Sequence, residues 1–261
     1  MRESILAERL RRQGLAEPLQ SKGDVVELFR KLQPVAPLAY SYPGTPPRLI
    51  HRTDFHDGEV LDELRGERTI IKGRFQKGRV SYVLAEDLQL YATAFRKPLA
   101  DLNDTQQRVL DVVQEIGPAN TDQITEVVDQ DGGEPLLKKQ IMPALHRMQE
   151  AFIVFEDQTE TNWDRGWCDF EAEWPAVDLE AQSWEEAAEE VIRRFFHAMV
   201  FATFDQVRDW ACWPVTTIKK LLARMEDEGR ILRIEGKGRD WVRVGYSSSL
   251  ITIPRSSREP G

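Results

Sequence analysis

The sequence predicts an α+β protein, mainly helical, built from tandem winged-helix repeats of helix-turn-helix with β-hairpin wings. Two observations predict it. Residues 184–244 read as one complete unit of three helices closed by a basic hairpin, and the same order of helix, capped helix, helix and hairpin recurs near 3–84 and 105–170. The divisions that follow are 1–100, 101–180 and 181–246, with a tail over 247–261.

In the first repeat, residues 3–13 form an amphipathic polar helix. DVVELFRKL then sets Val25, Val26, Phe29 and Leu32 on one face, after Ser21 or Gly23 as start signals. The stretch from Gln33 to Pro47 carries Pro34, Pro37, Pro43, Pro46 and Pro47, which excludes regular helix and gives a stiff connector. A short helix is expected from Glu59 to Leu64. RTIIKGRF and RVSYVLA then pair as a hairpin around Gln76-Lys77-Gly78, and a helix follows from Glu86 to Phe95. Lys97 to Asn103 reads as a linker.

The second repeat starts at Thr105 with the amphipathic QQRVLDVVQEI, broken by Gly117-Pro118. Thr121 is placed to cap DQITEVVD, and Asp131-Gly132-Gly133 turns the chain into a helix beginning near Pro135. Pro143 lies inside that helix and predicts a kink or a late start. AFIVFED and GWCDFEA would be its wing, with Asp157, Glu160 and Asp164 at an acidic tip that repels phosphate.

The third repeat is the clearest. Ala188, Val191, Ile192, Phe195, Phe196 and Met199 share a helical face, Thr203 with Gln206 forms a capping box, and Ile218, Leu221, Leu222 and Met225 make a further apolar stripe that Gly229 closes. RILRIE and DWVRVGY are two β-type runs joined by Gly236-Lys237-Gly238-Arg239, and the chain after Tyr246 reads as a fraying terminus.

With 261 residues and 41% hydrophobic composition the chain can fill several small cores. No apolar run approaches the roughly 20 residues needed to span a bilayer, and MRESILAERLRRQ has no signal-peptide core, so a cytoplasmic protein is expected. The two cysteines, Cys168 and Cys212, have neither CxxC spacing nor a histidine at metal spacing and read as reduced packing residues. P-loop, HExxH, GxSxG and dinucleotide-binding patterns are absent. His51, His56, His146 and His197 are scattered; Asp129 and Asp131 imitate the start of a calcium loop, but Gly133 and Gln140 stand where later ligands belong. No metal or cofactor is expected.

The net charge of −9 is unevenly spread: 17 basic and 13 acidic residues in 1–100, 5 and 19 in 101–180, 13 and 12 in 181–261. The acidic middle suits scaffolding or a protein partner, and the ends can offer basic faces to double-stranded DNA. Candidate phosphate contacts are Lys72, Arg74, Lys77 and Arg79 on the first hairpin and Lys237 and Arg239 on the last; Thr216, Thr217, Lys219 and Lys220 sit on the helix placed to reach a groove. Taken singly, each of these charges is more simply a solvated surface group; their clustering on hairpins of one motif favours DNA.

Taken together in order, VVELFRKLQPVAP, PGTPPRLIHR, RTIIKGRFQKGRVSYVLAEDLQLY, VIRRFF, TFDQVRDWACW and LLARMEDEGRILRIEGKGRDWVRV resemble the AlkZ/YcaQ family of winged-helix DNA glycosylases. The resemblance implies bacterial DNA repair by metal-free excision of alkylated or crosslinked purines. It also implies a Gln-x-Gln or Gln-x-Asp motif that positions the attacking water. Gln33 matches the first member and is the candidate catalytic residue; Val35 stands at the second and cannot orient a water. Ser81 occupies a hairpin position where many relatives have histidine, and the C-terminal β-rich part of longer members is expected to be missing. The reading is a DNA-binding relative of repair glycosylases with lost or altered excision. The alternatives are an active monofunctional glycosylase and a winged-helix protein-interaction module.

Overall fold

The apolar stripes of the sequence become the helices of the computed structural model, which describes residues 2–36, 52–130, 135–158, 166–236 and 239–244. Most of the Pro-rich connector, the Asp131-Gly132-Gly133 turn, the tip residues Glu160 and Asp164, Lys237 and the tail lie outside the described residues.

The N-terminal third holds α1 (Arg2–Arg12), α2 (Lys22–Leu32), α3 (Asp57–Gly66), β1 (Ile70–Arg74), β2 (Val80–Leu84) and α4 (Leu88–Phe95). Ser21 starts α2 by accepting a hydrogen bond from the Asp24 N–H at 3.2 Å. β1 and β2 pair antiparallel from Ile70 opposite Leu84 to Arg74 opposite Val80, across a one-turn 3-10 helix at Gln76–Gly78 where Gly78 takes φ +67°. A second 3-10 turn, Ala85–Asp87, delays α4 by two residues from the expected Glu86.

The middle third comprises α5 (Asp104–Ile116), α6 (Thr121–Gln130), α7 (Lys138–Glu150), β3 (Val154–Glu156), β4 (Trp167–Asp169) and α8 (Phe170–Glu173). Asn103 and Gln106 cap α5 reciprocally. The expected cap at Thr121 is instead made by Asn120, which exchanges 2.9 Å hydrogen bonds with Gln123, while Thr121 is already helical. α7 starts at Lys138 rather than near Pro135, so Pro143, the sixth residue, sits early in the helix. Only residue 139's carbonyl forgoes a bond from the position lacking N–H.

The C-terminal third runs α9 (Trp184–Met199), β5 (Ala202–Thr203), α10 (Phe204–Ala211), α11 (Val215–Asp227), β6 (Ile231–Gly236) and β7 (Arg239–Val244). Its sheet has the order β5-β7-β6. The Thr203–Gln206 box caps α10, and Gly229 follows α11 with φ +70°. One pairing recurs in all three thirds. Val35 bridges Tyr82 of β2, Ala119 bridges Trp167 of β4, and β5 pairs with β7, so each time the residue after an early helix pairs with the returning hairpin strand.

Three buried clusters lie among the described residues: one around Val25, Phe29, Leu64 and Ile70; one around Val109, Ile124, Leu145 and Met148; and the largest joining β1, β2 and α4 to α9, α10 and α11. The β1–β2 hairpin feeds two of them. Ile70 and Leu84 enter the N-terminal cluster, Ile71 and Val83 the large one. The first hairpin is therefore an internal slab and not a free wing. Its 3-10 turn reaches α10, where the Gln76 amide, 1% exposed, donates to the Trp210 carbonyl at 2.8 Å. Its β1 edge meets β3. A Cβ on Gly73 would lie 2.7 Å from Phe155 Cζ, so only glycine admits this approach. The Gln158 side chain exchanges two hydrogen bonds with the Lys72 backbone, and the Lys72 ammonium pairs with Glu156 at 2.8 Å, both side chains being 7% exposed. Burial pushes the Glu156 carboxyl above its ordinary range, with Arg74 and His146 pulling the other way.

At the opposite side α1 clasps the end of α9. Arg9 Nε donates to the Met199 carbonyl at 2.7 Å, Arg9 also reaches the Phe201 carbonyl and stacks 4.3 Å from the Phe201 ring centroid, and Arg12 donates to the His197 carbonyl at 2.8 Å.

Glu156→Ala leaves the Lys72 ammonium buried without its partner and is expected to lower stability by about 3–5 kcal/mol in urea unfolding, whereas the double replacement Lys72→Met with Glu156→Leu recovers most of that loss. Additive losses from the two sites would show that the pair is not coupled.

Candidate functional site

The C-terminus of α2 carries Gln33 into the space between the N-terminal and C-terminal thirds. Its backbone N–H still donates to the Phe29 carbonyl at 3.0 Å, and its side chain is 2% exposed. Both ends of the amide are bonded: Oε1 accepts from the Leu84 N–H at 2.8 Å, and Nε2 donates to Asp87 Oδ2. Val35, two residues on, is 1% exposed within the N-terminal cluster, its backbone tied to Tyr82 by bonds of 2.9 and 2.8 Å. Ser81 is fully buried, and its Oγ has no partner among the described residues.

Asp87 extends the network. Arg194 reaches its carboxylate at 2.8 Å and Glu190 at 2.8 Å, and it bonds the hydroxyl of the fully buried Tyr91. Burial works to lower the Arg194 pKa, yet the hydrogen bonds to Asp87 and Glu190 hold it above its ordinary value. Burial likewise works to raise the Glu190 carboxyl, and the bonds from Arg193 and Arg194 leave it lowered.

Two recesses flank this network. One, about 360 Å³, is lined by Lys31, Gln33, Arg52, Gln206, Asp209 and the aromatic pair Phe195 and Trp210, whose ring centroids are 4.4 Å apart. The other, about 350 Å³, is lined by Arg30, Lys31, Glu86, Asp87, Arg193, Arg194 and His197. Lys31 borders both.

The structure divides the basic residues singled out from the sequence. Lys72 is inside the ion pair with Glu156. Arg74 donates to Gln149 at 2.8 Å and to the Gly78 carbonyl at 3.0 Å, and lies 3.6 Å from Glu156. Both side chains are bonded within the protein, Lys72 buried and Arg74 half-buried, on a hairpin packed on β3 and α7. Arg79 is half-buried, and Lys77 belongs by its backbone to the 3-10 turn. On α11, Thr216, Lys219 and Lys220 are exposed and Thr217 half-buried; the Lys219 ammonium lies 5.9 Å from the Phe204 ring centroid. Arg239 opens β7 by its backbone.

Among the described residues no group of three or more His, Cys, Asp or Glu is placed to hold a metal ion, and no helix is long and apolar enough to cross a membrane. Neither cysteine is in a disulfide, and burial pushes the Cys168 thiol up to about 12.

The family model of AlkZ-like DNA glycosylases matches residues 48–251. The chain belongs to that family. Its structure also aligns with Streptomyces sahachiroi DNA glycosylase AlkZ at a TM-score of 0.67 and 13% identity, over 92% of this chain and 68% of that one, a likeness of fold alone. No curated protein sequence matches the chain. Gln33 and Val35 precede the matched stretch, so in this AlkZ-like chain their roles rest on their own geometry.

Asp87, Arg194 and Lys31 were not singled out from the sequence. The local signal for Arg194 is the helical spacing of Glu190, Arg193 and Arg194; nothing local joins Asp87 to Gln33, 54 residues away.

Gln33→Ala deprives the buried Leu84 N–H of its acceptor and is expected to destabilise the protein by about 1–3 kcal/mol in thermal or urea unfolding. An unchanged midpoint would show that the amide is not a structural bridge.

Proposed function

We propose that this AlkZ-like chain is a duplex-DNA-binding protein of DNA-repair stock in which base excision by the family's paired motif is lost or altered. The observation that carries this reading is the state of Gln33 and Val35. The first has both ends of its amide bonded within the protein, and the second is an apolar side chain in a core, so this pair cannot hold a water between two polar groups. The recurring strand pairing supports three winged-helix units over 1–100, 101–180 and 181–246. α11 presents Thr216, Thr217, Lys219 and Lys220 as the groove-reaching helix of the last unit, with Lys237 and Arg239 on its wing and Lys77 and Arg79 as lesser contacts. The acidic middle unit is left for scaffolding or a protein partner. Such a protein would work on DNA in the cytoplasm of a bacterium and needs no metal or cofactor.

One observation favours the alternative of an active monofunctional glycosylase. Asp87, bonded to Gln33, lines a solvent recess and supplies a carboxylate beside the motif glutamine. There it could take a proton from water as the C1′–O bond forms and the C1′–N bond breaks, its electron pair going to the alkylated purine, which is cationic in the nucleotide and leaves as the neutral base.

Base release from alkylated duplex DNA separates the two. Little or no release by the wild type is expected. Release at a rate comparable to active relatives, lost in Asp87→Asn, would establish the alternative instead. Duplex binding is expected to weaken with salt, and the Lys219→Ala/Lys220→Ala variant to flatten the slope of log K against log salt by up to about 2. Absence of duplex binding by the wild type at low salt would favour the protein-interaction reading.

A further inference from the structure

We infer that the recess between α2, the 3-10 turn Ala85–Asp87 and α9 is a seat for a backbone phosphate of duplex DNA, with Lys31 as its principal charge. The inference rests on the DNA-binding reading and moves the main backbone grip from the first hairpin to this site. Four permanently cationic side chains line the recess against two carboxylates. Both carboxylates are already engaged: Glu86 accepts from Arg30 at 2.9 Å, and Asp87 from Arg194 and Gln33. Lys31 is exposed and makes no ion pair among the described residues, so its ammonium is available without breaking an internal bond.

His197, at the same recess, reports the sign of the local field. Its imidazole is held below its ordinary range first by burial and then by Arg12, Arg193 and Lys31, which outweigh the opposing Glu8. A phosphodiester entering there meets a positive potential in a partly desolvated site, where charge-assisted bonds are stronger than at an open surface. Lys31 also borders the neighbouring recess at Gln33 and Trp210, so a phosphate held here sets the adjoining nucleotide against that cleft. The first hairpin cannot do this with Lys72 and Arg74, which are bonded to Glu156 and Gln149.

The test is the affinity of the full chain for an undamaged duplex oligonucleotide over a salt series, comparing the wild type with Lys31→Glu, Lys31→Arg and Lys139→Glu. Lys139 is exposed on α7 of the acidic middle, so its reversal makes the same change in net charge away from the recess. Lys31→Glu is expected to weaken binding and flatten the salt slope by about 1, Lys31→Arg to bind as the wild type, and Lys139→Glu to leave binding unchanged. Equal weakening by Lys31→Glu and Lys139→Glu would overturn the site in favour of overall charge. Wild-type affinity in Lys31→Glu would overturn it while leaving DNA binding intact. A wild type that binds no duplex overturns the DNA reading and the site with it.

Discussion

A hairpin apolar on both faces constrains the whole arrangement. Ile70 and Leu84 on one side and Ile71 and Val83 on the other are all covered, each side by a different buried cluster. The N-terminal helices take one face; α4, α9 and the aromatic side chains around Phe155 take the other. β3 comes closest to the slab at Gly73, and the Lys72–Glu156 pair ties the two strands together there. A buried ion pair adds little net stability over a well-packed apolar pair, but a docking that buried either charge without its partner would be costly.

The same packing explains why the glutamine at the end of α2 is a bridge. Leu84 is the last residue of β2, and its N–H points away from β1 toward α2, where no strand follows to accept it. Gln33 accepts in place of a strand. Its other end is drawn to Asp87, which Arg194 anchors from α9, and the outcome is a bonded chain from the first third to the last. A side chain in such a chain has little freedom to reorganise around a reacting sugar.

Much of this was legible in the sequence, and the division follows from range. Helices, their caps at Ser21 and Thr203, the glycine after α11 and the hairpin positions are local, decided by spacing and by the residue at the cap. The misplaced cap at Thr121 was an error of one residue between two good capping types. What escaped was tertiary. Lys72 and Arg74 look alike to Lys219 and Lys220 in a string of letters; only packing on β3 distinguishes them. A clue did exist in the adjacent apolar residues Ile70-Ile71 and Val83-Leu84, since a wing with one wet face alternates and does not repeat. The family likeness was legible from the order of short segments, and the geometry of Gln33, which lies outside the matched stretch, was not.

The clasp of α1 on α9 has a bearing on how the chain comes to be folded. Arg9 and Arg12 are made nearly two hundred residues before the carbonyls they bond, at His197, Met199 and Phe201. Until then α1, with Leu6 and Leu10 exposed even in the finished structure, lacks the α9 carbonyls that Arg9 and Arg12 bond. The large cluster that Ile71 and Val83 enter likewise waits for α9 to complete it. Synthesis therefore passes through a long interval with an uncovered sheet and an undocked α1. That is a window in which a holding chaperone would find its substrate and a neighbouring nascent chain its partner for aggregation.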